Sequence, residues 1–203
     1  MDARLYSVVG AAGELFSIRT ELFEKAAENT IIEDFVQSMQ VCMKGYIVQY
    51  EPKAYAMEYA SVSMSDEQKR KVRICAGAFQ AMGILRGVFN VFKYPILSFQ
   101  FISHRILRWT LCPICIFTLL ISNLALVGLN AGPFYFVILF LQFLFYSLAV
   151  IGWLYANRNI KVKFLYIPYY FLFMNISVFM GFARFVRNTQ SVLWEKASRQ
   201  KAA

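Results

Sequence analysis

Glu33 and Asp34 stand side by side in the stretch Thr30-Ile31-Ile32-Glu33-Asp34-Phe35. A carboxylate held in position can take the proton of an attacking hydroxyl, and general-base help of that kind contributes a factor of about 10² to 10⁴. The same residues also fit a structural role. Thr30 followed by Glu33 matches the capping box, in which a hydroxyl and a carboxylate satisfy the free amides of a helix start, and acidic residues favour helix N-termini for dipole reasons. A capping box needs one carboxylate, so Asp34 is left over.

A second group is cationic. Arg70, Arg73, Gly77 and Gln80 are spaced by three, four and three, which puts them on one helix face. Two guanidinium groups on such a face match phosphate oxygens in a fork, with a glycine clearing space beside them. A solvated basic face is the other reading of the same run. The third group is Gly10-Ala11-Ala12-Gly13, which suggests a tight loop whose backbone is open to close approach by something bulky, or else an ordinary turn.

Cysteines stand at 42, 75, 112 and 115. Cys112-Pro113-Ile114-Cys115 has the spacing of a redox or zinc pair, but the single histidine, His104, does not complete a ligand set, and small apolar packing is the simpler role. Metal ligands are therefore not assigned to any residue of this chain.

These groups need elements to hold them. Phe35, Met39, Cys42 and Met43 recur at helical spacing and Gly45 supplies a stop, so Glu33 and Asp34 open a helix. The alternation from Leu15 to Arg19 predicts a strand after the glycine loop. Tyr46–Pro52 and Ala54–Ala60 predict two further short strands, separated by Pro52. Ser65 with Gln68 offers the cap of the helix that carries Arg70 and Arg73.

The rest of the chain is apolar. Of 203 residues, 59% are hydrophobic and 17% aromatic, too many for an ordinary soluble domain. Eleven of the twelve acidic residues lie at or before Glu67, and none of Lys, Arg, Asp or Glu occurs between Arg108 and Arg158. Asn130-Ala131-Gly132-Pro133 divides that stretch into two runs, 111–129 and 134–155, each about the twenty residues a membrane helix needs. A third run, 164–183, contains Pro168 and Asn175 and either crosses or lies partly in the interface. Before the first run, 88–110 reads as an amphipathic interfacial segment with Trp109 as anchor. The basic excess thus faces lipid, and no aromatic-basic pattern favours nucleic acid.

The start has no cationic region followed by a long apolar core, so it is unlike a signal peptide. Arg105 and Arg108 precede the hairpin, and Arg158, Lys161 and Lys163 follow it. By the positive-inside rule both flanks, and the front part with them, are cytoplasmic, where disulfides are not expected. Arg184, Arg187, Lys196, Arg199 and Lys201 face only Glu195 in the tail, and three full crossings would put that charge outside. The same rule therefore favours a tail, with Trp194, that stays cytoplasmic.

In order, these pieces resemble the C-terminal half of a membrane-bound family 2 glycosyltransferase, the group that includes poly-N-acetylglucosamine, hyaluronan and cellulose synthases. "GAAGELFSIRTELFE" resembles the family's glycine-rich acceptor-side loop, strand and turn. "TIIEDF" resembles its E-D motif, "RKVRICAG" its Q-x-x-R-W motif, "ISHRILRW" its amphipathic lead-in and "WEKASR" its usual tail. Arg70 stands where the processive synthases have glutamine, and Ile74 where they have the tryptophan that resembles an acceptor-sugar platform. A single-sugar transferase therefore stays open beside a polymerising one.

The resemblance implies an α/β fold, the C-terminal part of an A-type nucleotide-sugar glycosyltransferase domain, followed by a helical transmembrane region. The divisions are 1–87 for the cytoplasmic domain, 88–110 for the interfacial segment, 111–186 for the membrane helices and 187–203 for a basic tail. It implies inverting transfer from a nucleotide diphosphate sugar to a lipid-linked or polysaccharide acceptor at the cytoplasmic face of the cell membrane. Asp34 would be the base, with Glu33 supporting it, and Gly10, Ala11, Gly13, Arg70 and Arg73 would bind substrate. A divalent cation, Mg or Mn, is expected in the full-length enzyme. The only aspartates are Asp2, Asp34 and Asp66, so its D-x-D ligands are absent from this chain, which reads as a fragment lacking the donor-binding half and inactive alone. The rival class is a non-enzymatic membrane accessory or interaction protein.

Overall fold

The computed structural model describes residues 2–57, 64–158, 160 and 162–193. The last residues of the Ala54–Ala60 run, Lys161 and the stretch from Trp194 onward lie outside the described residues. Among the described residues the chain is made of helices joined by turns and irregular segments, with no strand or sheet.

That overturns the expected α/β domain. The segment after the glycine loop is irregular and ends in a 3-10 turn, Thr20–Leu22, and Tyr46–Tyr50 is irregular as well. A strand is held by a ladder of backbone bonds. Here Tyr46–Tyr50 accepts one such bond, Val8 N–H to Val48 O at 2.9 Å, and it comes from the stretch before the glycine loop. The neighbouring amide, Val48 N–H, donates instead to the Ser7 hydroxyl at 2.9 Å. Alternating side chains say which faces a strand would have, not whether a partner lies beside it.

Helix α1 (Asp2–Leu5) is short, and α2 (Glu33–Met43) buries Phe35, Val36, Met39 and Cys42. These side chains join Val9, Ala81, Leu85, Val88, Leu97 and Phe101 in one core. Gly45, at φ +89°, ends α2 in the left-handed conformation that a C-cap glycine provides. Helix α3 (Met64–Ile84) already includes Ser65, so the cap expected of Ser65 falls one residue inside the helix. A 3-10 turn (Arg86–Phe89), α4 (Pro95–Phe101), a π turn (Ile102–Ile106) and α5 (Leu107–Trp109) lead toward the apolar helices. Trp109 meets Phe35 edge-on, ring centroids 5.7 Å apart, which anchors this lead-in to the core.

Helices α6 (Leu111–Gly128), α7 (Pro133–Asn157) and α8 (Lys163–Val186) are each long and apolar enough to cross a membrane. Asn130 at φ +52° and Gly132 at φ +128° make the turn between α6 and α7, and Pro133 starts α7 at a position where its missing N–H costs nothing. Asn123 donates to Gln142 at 3.1 Å and clamps this hairpin through a part-buried polar contact. Large side chains such as Leu119, Ile121, Phe136 and Phe140 are left exposed, as a lipid-facing surface requires. Cys112 is exposed and Cys115 half-buried, both free thiols.

Candidate active site

The acidic pair opens α2, but not as a capping box. Glu33 is the first helical residue, Ile32 is at the N-cap, and no side chain caps the helix. Thr30 N–H bonds to Ala27 O at 2.8 Å. A box places its glutamate three residues into the helix, whereas this chain starts the helix at the glutamate itself. Glu33 is exposed and Asp34 half-buried, both in the first turn, where the helix dipole favours negative charge.

The glycine loop lies against that turn. Gly10 takes φ +89°, and a Cβ on it would stand 2.2 Å from the Phe35 ring. Ala11 N–H donates to the Ser38 hydroxyl at 2.9 Å, and that hydroxyl donates to Phe35 O at 2.9 Å. Gly13 follows, so close to Asp34 that a Cβ there would be 2.8 Å from the carboxylate Oδ2. From the middle of the chain, Arg105 Nε donates to Val9 O at 3.0 Å while its guanidinium lies 5.7 Å from the centre of the Phe35 ring. The π turn that carries Arg105 is the kind of helix irregularity that re-aims side chains.

One face of α3 holds both loops. Arg70 pairs with Glu14, at 3.2 Å, just beyond Gly13. Arg73 Nη2 donates to Ile31 O at 3.1 Å and to Val192 O at 2.9 Å. A Cβ on Gly77 would lie 2.9 Å from Ile31 and Ile32 side-chain atoms, so the glycine lets the 29–32 segment sit directly on the helix. Gln80 brackets that segment, accepting from Ile31 N–H at 2.9 Å and donating to Asn29 O at 2.7 Å. Burial lowers the pKa of the Arg73 guanidinium from its ordinary value, while the nearby charges of Asp34 and, less, Glu33 act in the opposite direction. Arginine stays charged under any such shift.

The structure therefore brings together Gly10, Ala11, Gly13, Asp34, Arg70 and Arg73, with Glu33 at the exposed edge. Four side chains that the sequence did not single out as site residues complete the assembly: Glu14, Ser38, Gln80 and Arg105. Ser38 carried a signal, a lone hydroxyl among the apolar positions of α2. Arg105 carried none, because its partner is 96 residues away.

Among the described residues no three of His, Cys, Asp and Glu come together as a metal site, and Glu14 is engaged by Arg70. The described residues thus offer a divalent cation no ready cluster of protein ligands.

The geometry defines a membrane-associated protein in which a carboxylate, two guanidinium groups and an open glycine loop converge. The sequence model of the family described as "Glycosyl transferase family group 2" matches residues 1–183, and the chain belongs to that family. No curated protein and no solved structure matches it. Membership brings glycosyl transfer as the general chemistry and a nucleotide-sugar donor with an acceptor as the general partners.

Proposed function

We propose that the site serves inverting transfer from a nucleotide diphosphate sugar to a lipid-linked or polysaccharide acceptor at the cytoplasmic face of the cell membrane, with Asp34 as general base. The observation that carries this reading is the approach of Gly13 to the Asp34 carboxylate, in a loop open to solvent. A side chain at position 13 would occupy the space an acceptor hydroxyl needs.

The acceptor oxygen attacks the anomeric carbon and forms the new glycosidic bond while the bond to the diphosphate oxygen breaks. The electron pair of the broken bond leaves with the diphosphate, and the hydroxyl proton passes to Asp34. The diphosphate gains negative charge in this step, so positive charge at Arg73 and Arg70 stabilises the transition state more than the ground state. Gly10, Ala11 and Gly13 let sugar and acceptor approach the backbone. Glu33 supports the field around Asp34 from the first turn.

The test is transfer of label from a panel of nucleotide diphosphate sugars into lipid-extractable or polymeric product, using membranes of cells that express the complete gene or its Asp34→Asn variant. The proposal expects incorporation that the variant loses by at least about a hundredfold, the low end for a missing general base. Equal incorporation in both membranes would favour the non-enzymatic accessory role.

A further inference from the structure

We propose that α8 does not cross the membrane but lies in its interface on the side of the candidate site, with one face clamped to α3 and the other in lipid. At 24 residues and 1.5 Å per residue, the helix is about 36 Å long, enough to span. If it did span, its last turns would lie on the side opposite its first.

The entry to α8 is on the site side. Helix α6 begins two residues after Trp109, whose ring packs on Phe35 of the core, and the α6–α7 hairpin returns the chain to the side it left. The exit is on the site side as well. Gly181 is pressed so closely on α3 that a Cβ would stand 2.5 Å from Cys75 Cβ and 2.8 Å from Ala76 N. The Phe182 and Phe185 rings lie 5.0 and 6.2 Å from that of Phe79. Past the helix, Val192 O accepts from Arg73, the residue that also holds Ile31 beside the acidic pair.

Helix α3 cannot follow a spanning α8 into hydrocarbon. It carries Asp66, Glu67, Lys69, Arg70, Lys71 and Arg73 within eight residues, and charges at bilayer depth are tolerated only when they face a protein interior or a water-filled cavity. Arg70 and Lys71 instead pair with Glu14 and Glu67 in partly exposed bridges. The slant of α8 agrees. Phe179 meets Phe117 at 5.5 Å, although Phe179 is about 24 Å along α8 and Phe117 only about 9 Å along α6 by helical rise. A helix descending beside α7 would carry Phe179 well below Phe117.

What covers the outer face is lipid. Phe164, Ile167 and Phe171 share one exposed side of α8, and α8 packs on α7, whose own exposed apolar surface belongs to the hairpin. Its mean hydropathy, 1.4 against 2.2 and 2.3 for the hairpin helices, suits an interfacial helix with one polar-side partner.

The test places single cysteines at Lys25→Cys in the front part, Ala131→Cys in the α6–α7 turn and Ser191→Cys after α8, in a chain whose own cysteines are replaced. An impermeant maleimide is applied to intact cells and to inverted membrane vesicles. The expected result is that the cysteines at 25 and 191 label from one side and the cysteine at 131 from the other. Labelling of positions 191 and 131 from the same side overturns the proposal, as does labelling of all three from one side. Because the result is relative, a reversed cytoplasmic assignment would exchange the sides together and leave the inference standing, and loss of transfer activity would not touch it. A spin label at Phe171→Cys then reads the outer face. Strong collision with dissolved oxygen at shallow depth supports lipid contact, and exclusion of both oxygen and water means that a protein surface covers the face and removes that part of the proposal.

Discussion

Helix α3 has two working faces that hold their neighbours by opposite means. On the front, Arg70, Arg73 and Gln80 hold a loop carboxylate, three backbone carbonyls and a backbone amide with long polar side chains. On the back, Val72, Cys75, Ala76 and Phe79 meet α8 through close apolar contact that only a glycine at 181 permits. The difference separates position from attachment. Hydrogen bonds to backbone are directional and set where the 29–32 segment and Asp34 sit, whereas close packing sets how firmly the helix pair holds together.

The largest expected effect breaks the front face alone. Asp34→Asn should leave thermal stability in detergent nearly unchanged while lowering turnover by at least about a hundredfold, as loss of a general base does. Glu33→Gln should cost far less turnover, because Glu33 is exposed and caps nothing. Steady-state rates with thermal melts of both variants check this ordering, and near-normal turnover of Asp34→Asn removes the catalytic reading.

The next effect belongs to the back face and appears as pH dependence. Burial pushes the Cys75 thiol from an ordinary 9.0 up to about 11, against the opposing charges of Lys71 and Arg108. The folded chain therefore keeps this proton between pH 9 and 11, where the unfolded chain has released it. Stability from this group is complete below pH 9 and falls as pH rises toward 11, by about 2–3 kcal/mol in all. Denaturation followed across that window should show the loss, and Cys75→Ala should flatten it without altering turnover.

A steric change on the same face should cost about 1–3 kcal/mol, the usual range for overpacking. Gly181→Ala puts a methyl group against Cys75 and the α3 backbone, and the better helix propensity of alanine, about 1 kcal/mol, offsets part of that cost. Thermal midpoints measure the result. A variant as stable as the parent would mean that the α3–α8 contact is looser than its geometry.

The two faces were not equally legible in the sequence. The spacing of Arg70, Arg73, Gly77 and Gln80 marks one helix side, and all four do meet the loops that bear the candidate site. Their partners could not be read, since Arg73 reaches residues 42 and 119 positions away. The apolar runs stand out because hydropathy is a property of each segment by itself. Strands are not, and the alternations at Leu15–Arg19 and Tyr46–Pro52 misled because pairing depends on a neighbour that the pattern does not contain. The capping box failed for a local reason. Gln80 takes Ile31 N–H and Arg73 takes Ile31 O, so tertiary contacts move the helix start to Glu33.

The smallest expected effect asks whether Arg70 is a solvated charge or part of the site. Its bridge to Glu14 joins side chains that are 30% and 44% exposed, and such pairs contribute roughly 0–1 kcal/mol. Glu14→Gln should therefore shift the thermal midpoint little. If Arg70 faces the leaving diphosphate, the carboxylate of Glu14 competes with that group for the guanidinium. Removing its charge should then tighten product inhibition by the nucleoside diphosphate by up to about fivefold, the equivalent of roughly 1 kcal/mol, with turnover nearly constant. The effect should shrink with added salt, since the charges are exposed enough to be screened. A solvated basic face predicts no change in inhibition at any ionic strength, because the diphosphate would never have met Arg70. Inhibition constants for parent and variant at low and high salt decide between the two, and an unchanged constant at low salt takes Arg70 out of the site while leaving Arg73 and Asp34 in it.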